Sequence, residues 1–341
     1  MAESRRTRIV PEVDFERDGV QHGYLRLFHS THASAYGFIP IPIVVMRNGS
    51  GPTAFFMSGN HGDEYEGQVA LCKLARWLTP EKIRGRVILL PAANYPAAMA
   101  GRRVSPIDDA NLNRVFPGDP DGTVTHQIAW YIENELMPMA DIFCDLHSGG
   151  SSLMYMPSAL MKTSPDPARQ QKLMAALEAF GAPTAYVTAA ASPGGDATAS
   201  GGAERKGVLA IGTELGGSGT VTPAALRIAE RGVRNLLVHV GILPPNERIA
   251  PEGRTRVLEV GGPDYYGYTP ENGVFAPAVE LGDSVQAGQL AGHIHFPETP
   301  WAPPVEVRFQ RAGTVLCKRI PGRTARGDCL YHLGTDRSPA P

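Results

Sequence analysis

The sequence is poor in cysteine, and its cysteines are far apart. Among 341 residues there are four, Cys72, Cys144, Cys317 and Cys329, and none forms a CxxC pair. They lie in or beside apolar segments, which favours reduced thiols in a core over a disulfide framework. We therefore expect a cytoplasmic protein without disulfides.

Long apolar runs and a dominant charge are also absent. Stretches such as "FIPIPIVVM" are far shorter than a membrane span, and the basic N-terminus lacks the apolar segment of a signal peptide. The 32 basic and 34 acidic side chains nearly balance, so no global field attracts nucleic acid or anionic lipid. We expect a small-molecule partner rather than a nucleic acid or a membrane, and leave a homo-oligomer open.

Short apolar runs alternate with helix-patterned segments through the first two thirds of the chain. "GRVILLPAAN", "ADIFCDLH" and "GVLAIGTEL" are typical of buried strands, whereas "EGQVALCKLARWL" has apolar residues at helical spacing. This alternation predicts an α/β fold with a mostly parallel sheet flanked by helices.

Beyond Pro244 and Pro245 the helical periodicity stops. Short β runs separated by glycine-containing turns, as in "ENGVFAPAVELGDSVQAGQLAGHIH", predict a small barrel-like β domain that caps the first domain. The predicted parts are an N-terminal segment (1–34), an α/β domain (35–248), a β-rich C-terminal domain (249–335) and a tail (336–341).

The stretch "SGNHGDEYEG", at residues 58–67, places a histidine and carboxylates between glycines directly after an apolar run. His61 and Glu64 are separated by two residues, and Gly59 and Gly62 allow backbone bends that aim both side chains at one point. Alone, the pattern fits a turn histidine with a helix-capping carboxylate as well as half of a metal site.

A second histidine follows another predicted strand. His147 ends "DIFCDLH" and precedes a Ser-Gly-Gly turn, so it emerges at the carboxyl end of the sheet, where open α/β sheets bind ligands. Asp145 faces the same side and can accept a hydrogen bond from a ligand histidine. Two histidines with one carboxylate form a zinc set that leaves a fourth position for water.

A hydrolase built on such a metal also needs a proton carrier and groups that bind the substrate. Glu214 lies at the end of a strand in "GVLAIGTELGG" and is the candidate general base. The loop "GRRVSPIDDANLNRVFPG" carries Arg102, Arg103, Asn113 and Arg114. One guanidinium can bind a carboxylate with two hydrogen bonds, and another can stabilise an oxyanion.

Four motifs in this order, "GNHGDEYEG", "NLNRVFPG", "DLHSGG" and "GTELGG", resemble the succinylglutamate desuccinylase and aspartoacylase family, a branch of the zinc carboxypeptidase-like fold. The resemblance covers roughly residues 35–335. It implies that one zinc ion is bound by His61, Glu64 and His147, and that Glu214 acts as general acid and base.

The same resemblance implies roles in the polar loop. Asn113 and Arg114 match the pair that holds the substrate carboxylate. An upstream arginine of the family assists the oxyanion; Arg103 fits that position by context, and the adjacent Arg102 is the alternative.

Three further stretches, "YGFIPIPIVV", "SPIDDANLNRVFPGDPDGTVTHQIA" and "GHIHFPETPW", are similar to the branch of this family that acts in bacterial ectoine degradation. That similarity implies removal of the acetyl group from N-alpha-acetyl-L-2,4-diaminobutyrate. A deacylase of the succinylglutamate or acetylaspartate type and a metallocarboxypeptidase are the alternatives. The candidate partners for the second substrate amine, which the sequence does not rank, are Glu66, Asp108, Asp109 and Tyr155.

The histidines of "GHIH" form a competing signal. His293 and His295 alternate as they would in a strand, so both face one side and could begin a second metal site. No third ligand is evident nearby, and packing or a role at the rim of a site is the commoner use of such a pair.

Overall fold

The computed structural model describes residues 7–188 and 195–337. Within them, helices pack on both faces of a large sheet, and a small sheet lies in the C-terminal third. The α-helices are α1 (Glu66–Trp77), α2 (Tyr95–Ala100), α3 (Val124–Tyr131), α4 (Pro167–Phe180), α5 (Ala199–Arg205) and α6 (Pro223–His239). The strands are β1 (Ile9–Pro11), β2 (Gly19–Phe28), β3 (Phe38–Asn48), β4 (Thr53–Ser58), β5 (Gly85–Leu90), β6 (Ile142–His147), β7 (Leu153–Tyr155), β8 (Ser158–Lys162), β9 (Thr184–Thr188), β10 (Leu209–Glu214), β11 (Arg256–Val260), β12 (Tyr266–Tyr268), β13 (Gly273–Pro277), β14 (Ser284–Val285), β15 (Leu290–His295), β16 (Val305–Arg308), β17 (Gly313–Arg319), β18 (Arg323–Thr324) and β19 (Cys329–Asp336).

The large sheet has 15 strands in the order β1-β2-β3-β5-β4-β6-β10-β8-β9-β11-β19-β17-β14, with β12 beside β19 and β7 beside β17. Its centre is parallel, because β4 pairs in parallel with β5 and β6, and β6 pairs in parallel with β10. Antiparallel pairs flank this parallel centre on both sides: β3 pairs with β5, and β8 pairs with β10. The expectation of a mostly parallel sheet is therefore wrong, and the sheet is mixed.

One antiparallel pair, β2 with β3, has a simple cause in chain length. Strands β2 and β3 pair antiparallel along ten registered positions, from Gly19↔Arg47 to Phe28↔Phe38. The short connection between them has no room for the crossover of a dozen or more residues that a parallel pair needs. The α/β class and the buried central strands are confirmed.

The central strands are buried on both faces, which explains their unbroken apolar sequences. All six residues of β4 are buried. Ala54 and Phe56 belong to the core that includes residues of α1, α4 and α6, whereas Phe55 and Met57 belong to the core that includes residues of α3 and α5. The helices thus hold the parallel strands, and the site at their ends, between two cores.

The C-terminal third is β-rich, as expected, but the predicted barrel is not confirmed. Strand β11 pairs in parallel with β9 and antiparallel with β19, so several late strands extend the large sheet. The other four form a separate sheet in the order β16-β15-β13-β18. Among the described strand pairs, both sheets are open. Strands β1 and β2 join the large sheet too, and the division into domains stays a prediction.

The sequence predicts neither disulfides nor a membrane span. The four cysteines, which all lie within the described residues, are free. In those same residues, no helix combines the length and the apolarity that crossing a membrane would require.

Gly232 offers a test of the packing between α4 and α6. A Cβ added at Gly232 would lie 2.3 Å from Cζ of Phe180. Replacing glycine by alanine within a helix ordinarily stabilises it by about 1 kcal/mol, but overpacking a core costs about 1–3 kcal/mol. We expect Gly232→Ala to lower the free energy of unfolding by about 1–2 kcal/mol, measured by denaturant titration.

The control for this prediction is a double-mutant cycle with Phe180→Leu. If the ring causes the loss, Gly232→Ala should cost clearly less in the Phe180→Leu background. An equal cost in both backgrounds would show that the contact with Phe180 is not the cause.

Candidate active site

The turn that follows β4 requires glycine at two positions. Gly59 has a φ of +65°, and a Cβ at Gly62 would lie 1.9 Å from the carbonyl oxygen of Ala97. The Gly62 amide donates a hydrogen bond of 2.8 Å to the carbonyl oxygen of Arg102. A side chain at Gly62 is therefore excluded, and the turn is fixed against the polar loop.

His61, Glu64 and His147 meet at this turn. Nδ1 of His61 lies 2.7 Å from Oε1 of Glu64, and Nδ1 of His147 lies 2.8 Å from Oε2. One donor atom from each residue lies within 4.8 Å of the others. Across residues 7–188 and 195–337 this is the only group of three or more potential ligands found. His293 and His295, for which a metal site was the less favoured interpretation, do not belong to such a group.

The outer nitrogen of each imidazole faces an oxygen. Nε2 of His61 lies 3.1 Å from Oδ1 of Asn111, and Nε2 of His147 lies 2.7 Å from Oδ2 of Asp145. Asp145 also accepts a hydrogen bond of 2.8 Å from Asn60. Acceptors at Nε2 fix the tautomer with the proton on that atom, so each Nδ1 is free to bind a metal.

Asn111 is a residue that sequence reasoning missed, while Asp145 lies where it was expected. The signal was present in "NLNR", in which a second asparagine precedes Asn113 by two residues. Oδ1 of Asn111 also accepts from the amide of Asn113 at 2.9 Å. One oxygen therefore orients both His61 and the loop.

The pKa values of His61, Glu64 and His147 depend strongly on one another. Burial opposes the charge on Glu64, yet the two histidines hold the pKa of its carboxyl below the usual range. Burial lowers the pKa of His61. Burial also opposes the charged form of His147, but Asp145 and Glu64 raise its pKa well above the ordinary value. Glu64 thus stays ionised in a buried place, which is what a cation ligand requires.

Glu214 ends β10 beside His147, its registered partner on β6. The two strands are parallel, so both residues lie at the same edge of the sheet, as the sequence predicts. Oε2 of Glu214 is buried, with no hydrogen-bond partner among the described residues. Burial first, and then the charge of Glu64, raise the pKa of Glu214 well above its ordinary value. A carboxyl that can hold a proton here is suited to proton transfer.

The polar loop brings one of its two adjacent arginines to the ligand group. Nη1 of Arg103 lies 3.3 Å from Nδ1 of His61 and 3.4 Å from Oε1 of Glu64. Arg102 is exposed and lies 3.6 Å from Asp109. The geometry places Arg103, and not Arg102, beside the candidate metal position.

Asn113 and Arg114 lie in the same cavity. Nδ2 of Asn113 lies 3.3 Å from Nε2 of His147, and its Oδ1 accepts from the amide of Ala199 at the start of α5. Arg114 donates a hydrogen bond of 2.6 Å to the carbonyl oxygen of Asn113. Burial, and secondarily the charge of Arg103, lower the pKa of Arg114.

These side chains share a cavity of about 350 Å³, a size suited to a small molecule. All seven candidate site residues line it. Aromatic residues that sequence reasoning did not assign to the site complete the wall: Tyr186, Tyr266, Tyr268 and His332. No local motif marks them, because their strands reach the cavity only through long-range pairing.

Of the four candidates for binding a second amine, only Tyr155 lines this cavity. Asp108 accepts hydrogen bonds from the amide and hydroxyl of Thr125 at the start of α3. Asp109 is exposed. Glu66 is fully buried, and burial raises its pKa to about 7.

Asp63, between the two ligands of the turn, has a structural contact. Its Oδ2 accepts from the amide of Ser151 at 2.8 Å and from the Ser151 hydroxyl at 2.7 Å. The turn after β4 is thereby attached to the turn after β6.

The fold and the site together define a class of protein. It is an α/β protein in which a His-Glu-His group that could hold a metal ion lies at the carboxyl ends of parallel strands, beside the carboxyl of Glu214. Residues 50–240 match the family model of the succinylglutamate desuccinylase/aspartoacylase catalytic domain. The chain belongs to this family of deacylases, hydrolases that act on an amide bond.

Named relatives match this chain along nearly its whole length. The N-alpha-acetyl-L-2,4-diaminobutyric acid deacetylase of Halomonas elongata is 42% identical over 328 residues, which cover 96% of this chain and 95% of the relative. A product-bound structure of the ectoine utilization protein EutE (DoeB) from Ruegeria pomeroyi is 41% identical, with a TM-score of 0.92 over 97% of this chain and 100% of that one. A succinylglutamate desuccinylase/aspartoacylase from Rhodobacter sphaeroides is 42% identical, with a TM-score of 0.91 over the same shares of the two chains.

The hydrogen bond from His61 to Asn111 generates a prediction about metal affinity. Removing an outer partner of a ligand histidine typically weakens metal binding by about 10–100-fold. We expect a loss of this size in Asn111→Ala, measured by competition with a chromogenic chelator.

Asn111→Asp is the matched control, because it keeps an oxygen facing Nε2 of His61. It should bind metal more tightly than Asn111→Ala. Equal affinities of Asn111→Ala and the unsubstituted protein would contradict the orienting role.

Proposed function

We propose that this protein is a zinc-dependent amidohydrolase that converts N-alpha-acetyl-L-2,4-diaminobutyrate and water to L-2,4-diaminobutyrate and acetate, as a step of ectoine degradation. One observation carries the reaction type: two Nδ1 atoms and a carboxylate converge in the cavity that Glu214, with its buried and unpartnered Oε2, also lines. The relatives from H. elongata and R. pomeroyi support the substrate. The four free thiols favour a reducing compartment such as the cytoplasm.

The donor set fits zinc. His61, Glu64 and His147 would hold the ion, because two imidazoles and a carboxylate are a set that catalytic zinc sites use. When bound, such an ion lowers the pKa of a water molecule and polarises a carbonyl group. Asn111 and Asp145 keep both imidazoles in the required tautomer.

Glu214 is the proton carrier in this proposal. Its carboxylate takes the proton of the attacking water as the new C–O bond forms at the acetyl carbon. Its carboxylic acid then gives that proton to the nitrogen as the C–N bond breaks, so the leaving amine departs neutral. The raised pKa favours retention of the proton between these two steps.

Arg103, Asn113 and Arg114 bind charge on the substrate. Arg103 donates to the acetyl oxygen, where negative charge grows as the carbonyl carbon becomes tetrahedral. Arg114 and Asn113 donate to the α-carboxylate, since a guanidinium and an amide N–H match its oxygens. Arg103 and Arg114, two guanidinium groups in the cavity, also give this part of it a positive field that attracts the substrate's carboxylate.

The experiment that tests this function is an amide-hydrolysis assay on the zinc-loaded protein, in which the primary amine released from each substrate is quantified after chromatographic separation. The substrates are the alpha- and gamma-acetyl isomers of diaminobutyrate, acetylaspartate, succinylglutamate and a short peptide. We expect the alpha isomer to be preferred. In Glu214→Gln, turnover should fall by about 10²–10⁴-fold with metal content unchanged, because one proton-transfer group is lost.

Glu259→Gln, an exposed change on β11, is the matched control and should keep full activity. Preferred cleavage of the peptide would support a carboxypeptidase instead, and preference for acetylaspartate or succinylglutamate would support another deacylase. Turnover by Glu214→Gln at the unsubstituted rate would remove Glu214 from the mechanism.

The assignment of the carboxylate to Arg114 predicts a loss of selectivity. Arg114→Ala should raise KM for N-alpha-acetyl-L-2,4-diaminobutyrate by at least about tenfold, because a charge-assisted hydrogen bond is removed. KM for the matching amide, which lacks the charge, should change little. Steady-state kinetics with both substrates measure the difference.

Arg102→Ala is the control, because it removes a neighbouring charge outside the cavity. It should leave both KM values near those of the unsubstituted protein. A preserved preference for the carboxylate in Arg114→Ala would refute the assignment.

A further inference from the structure

Four aromatic side chains form one part of the cavity wall, which we call the aromatic recess. They are Tyr155, Tyr186, Tyr266 and His332, which all line the cavity. His332 on β19 is registered with Tyr266 on β12. Tyr155 on β7 joins the same row through Cys317 on β17, which is registered with both Tyr155 and His332. Directly registered residues point to one face of a sheet, so the row is a continuous surface.

His332 is at the centre of this recess. It stacks on Tyr266 with ring centroids 4.4 Å apart and planes at 10°. Its centroid lies 6.0 Å from that of Tyr155 and 5.8 Å from that of Tyr186, both in edge-on contacts. Three tyrosine rings thus hold one imidazole in a fixed orientation.

The ring nitrogens of His332 are the unusual feature. The residue is 2% exposed, and neither nitrogen has a hydrogen-bond partner among the residues that the structure describes. Burial lowers its pKa to about 3, so the imidazole is neutral at physiological pH. Buried polar groups are nearly always paired, so an unpaired donor and acceptor in a cavity wall indicate a partner on a ligand.

The chemistry of the recess favours a cation as that partner. A neutral imidazole has one nitrogen that accepts hydrogen bonds, and the faces of tyrosine rings attract positive charge. Burial raises the pKa of Tyr155, Tyr186 and Tyr266, so the recess presents only neutral aromatic side chains to a ligand.

We propose that the aromatic recess binds the side-chain ammonium of the diamino substrate, which donates a hydrogen bond to His332 while the tyrosine rings attract its charge. The assignment rests on the proposed function for the identity of the substrate. It makes His332 a specificity-determining residue, separate from Asn113 and Arg114, which bind the carboxylate in the proposed function. The carboxylate and the side-chain ammonium of the substrate would then be recognised by different parts of the chain.

Binding measurements without turnover test this proposal. Isothermal titration of the zinc-loaded full chain compares L-2,4-diaminobutyrate with L-2-aminobutyrate, which has the same carbon chain but no side-chain ammonium. The unsubstituted protein should prefer the diamino ligand by on the order of tenfold. In His332→Phe this preference should fall to near one, while the affinity for L-2-aminobutyrate stays unchanged.

His332→Asn keeps an accepting oxygen and should retain part of the preference. His22→Phe, the same substitution at an exposed position of β2, should retain all of it. If a thermal melt shows that His332→Phe does not fold, the preferences of the unsubstituted protein and of His332→Asn still test the proposal. Absence of any preference in the unsubstituted protein, or an unchanged one in either His332 variant, would overturn the proposal.

The same titration separates the two proposals. A protein that prefers the diamino ligand but does not hydrolyse its N-alpha-acetyl form would refute the proposed function and support the recess. A protein that hydrolyses this substrate without preferring the diamino ligand would refute the recess alone.

Discussion

The Glu64 carboxylate, bound between the Nδ1 atoms of His61 and His147, is the interaction on which the site depends. Its two oxygens lie 2.7 and 2.8 Å from these nitrogens. A charged carboxylate buried without partners would be very costly, so Glu64 requires positive charge beside it. Arg103, with Nη1 3.4 Å from Oε1, and His147, whose pKa Asp145 and Glu64 raise, supply positive charge. In the proposed function a divalent cation would supply more. Metal binding should therefore release protons, as it does when a metal replaces protons on its ligands.

This interaction is possible because the parallel centre of the sheet fixes three chain segments at one edge. Strand β4 leads into the turn with His61 and Glu64, whereas β6 and β10 end at His147 and Glu214. The pairing of β6 with β10 sets the last two directly beside each other. A shift of one residue along either strand would turn its side chains to the opposite face, so the two buried cores also preserve the alignment of the site.

Sequence reasoning reached the parts of this site that short motifs encode. His61 and Glu64 share one turn, and His147 and Glu214 each end an apolar strand, so residue type and position in the element made them candidates. The four motifs together, through the family that they resemble, assigned their roles. Asn111 was missed because its role depends on a contact with His61 that is 50 positions away. The mixed sheet and the open C-terminal strands were missed for a related reason, since apolar runs do not specify which strands pair.

The cavity wall is built from two parts of the chain, and half of the aromatic recess, Tyr155 and Tyr186, lies in the same part as the ligand group. The ligands, Glu214 and the polar loop belong to the segment that matches the family's catalytic domain, residues 50–240. Tyr266 and His332 lie beyond that segment, on strands that extend the same sheet. In the two proposals, both parts of the wall contact the same substrate but depend on different strand pairs. Under these proposals, changes in the late strands would alter which substrate side chain is accepted, while the proposed metal ligands and proton carrier would stay in place.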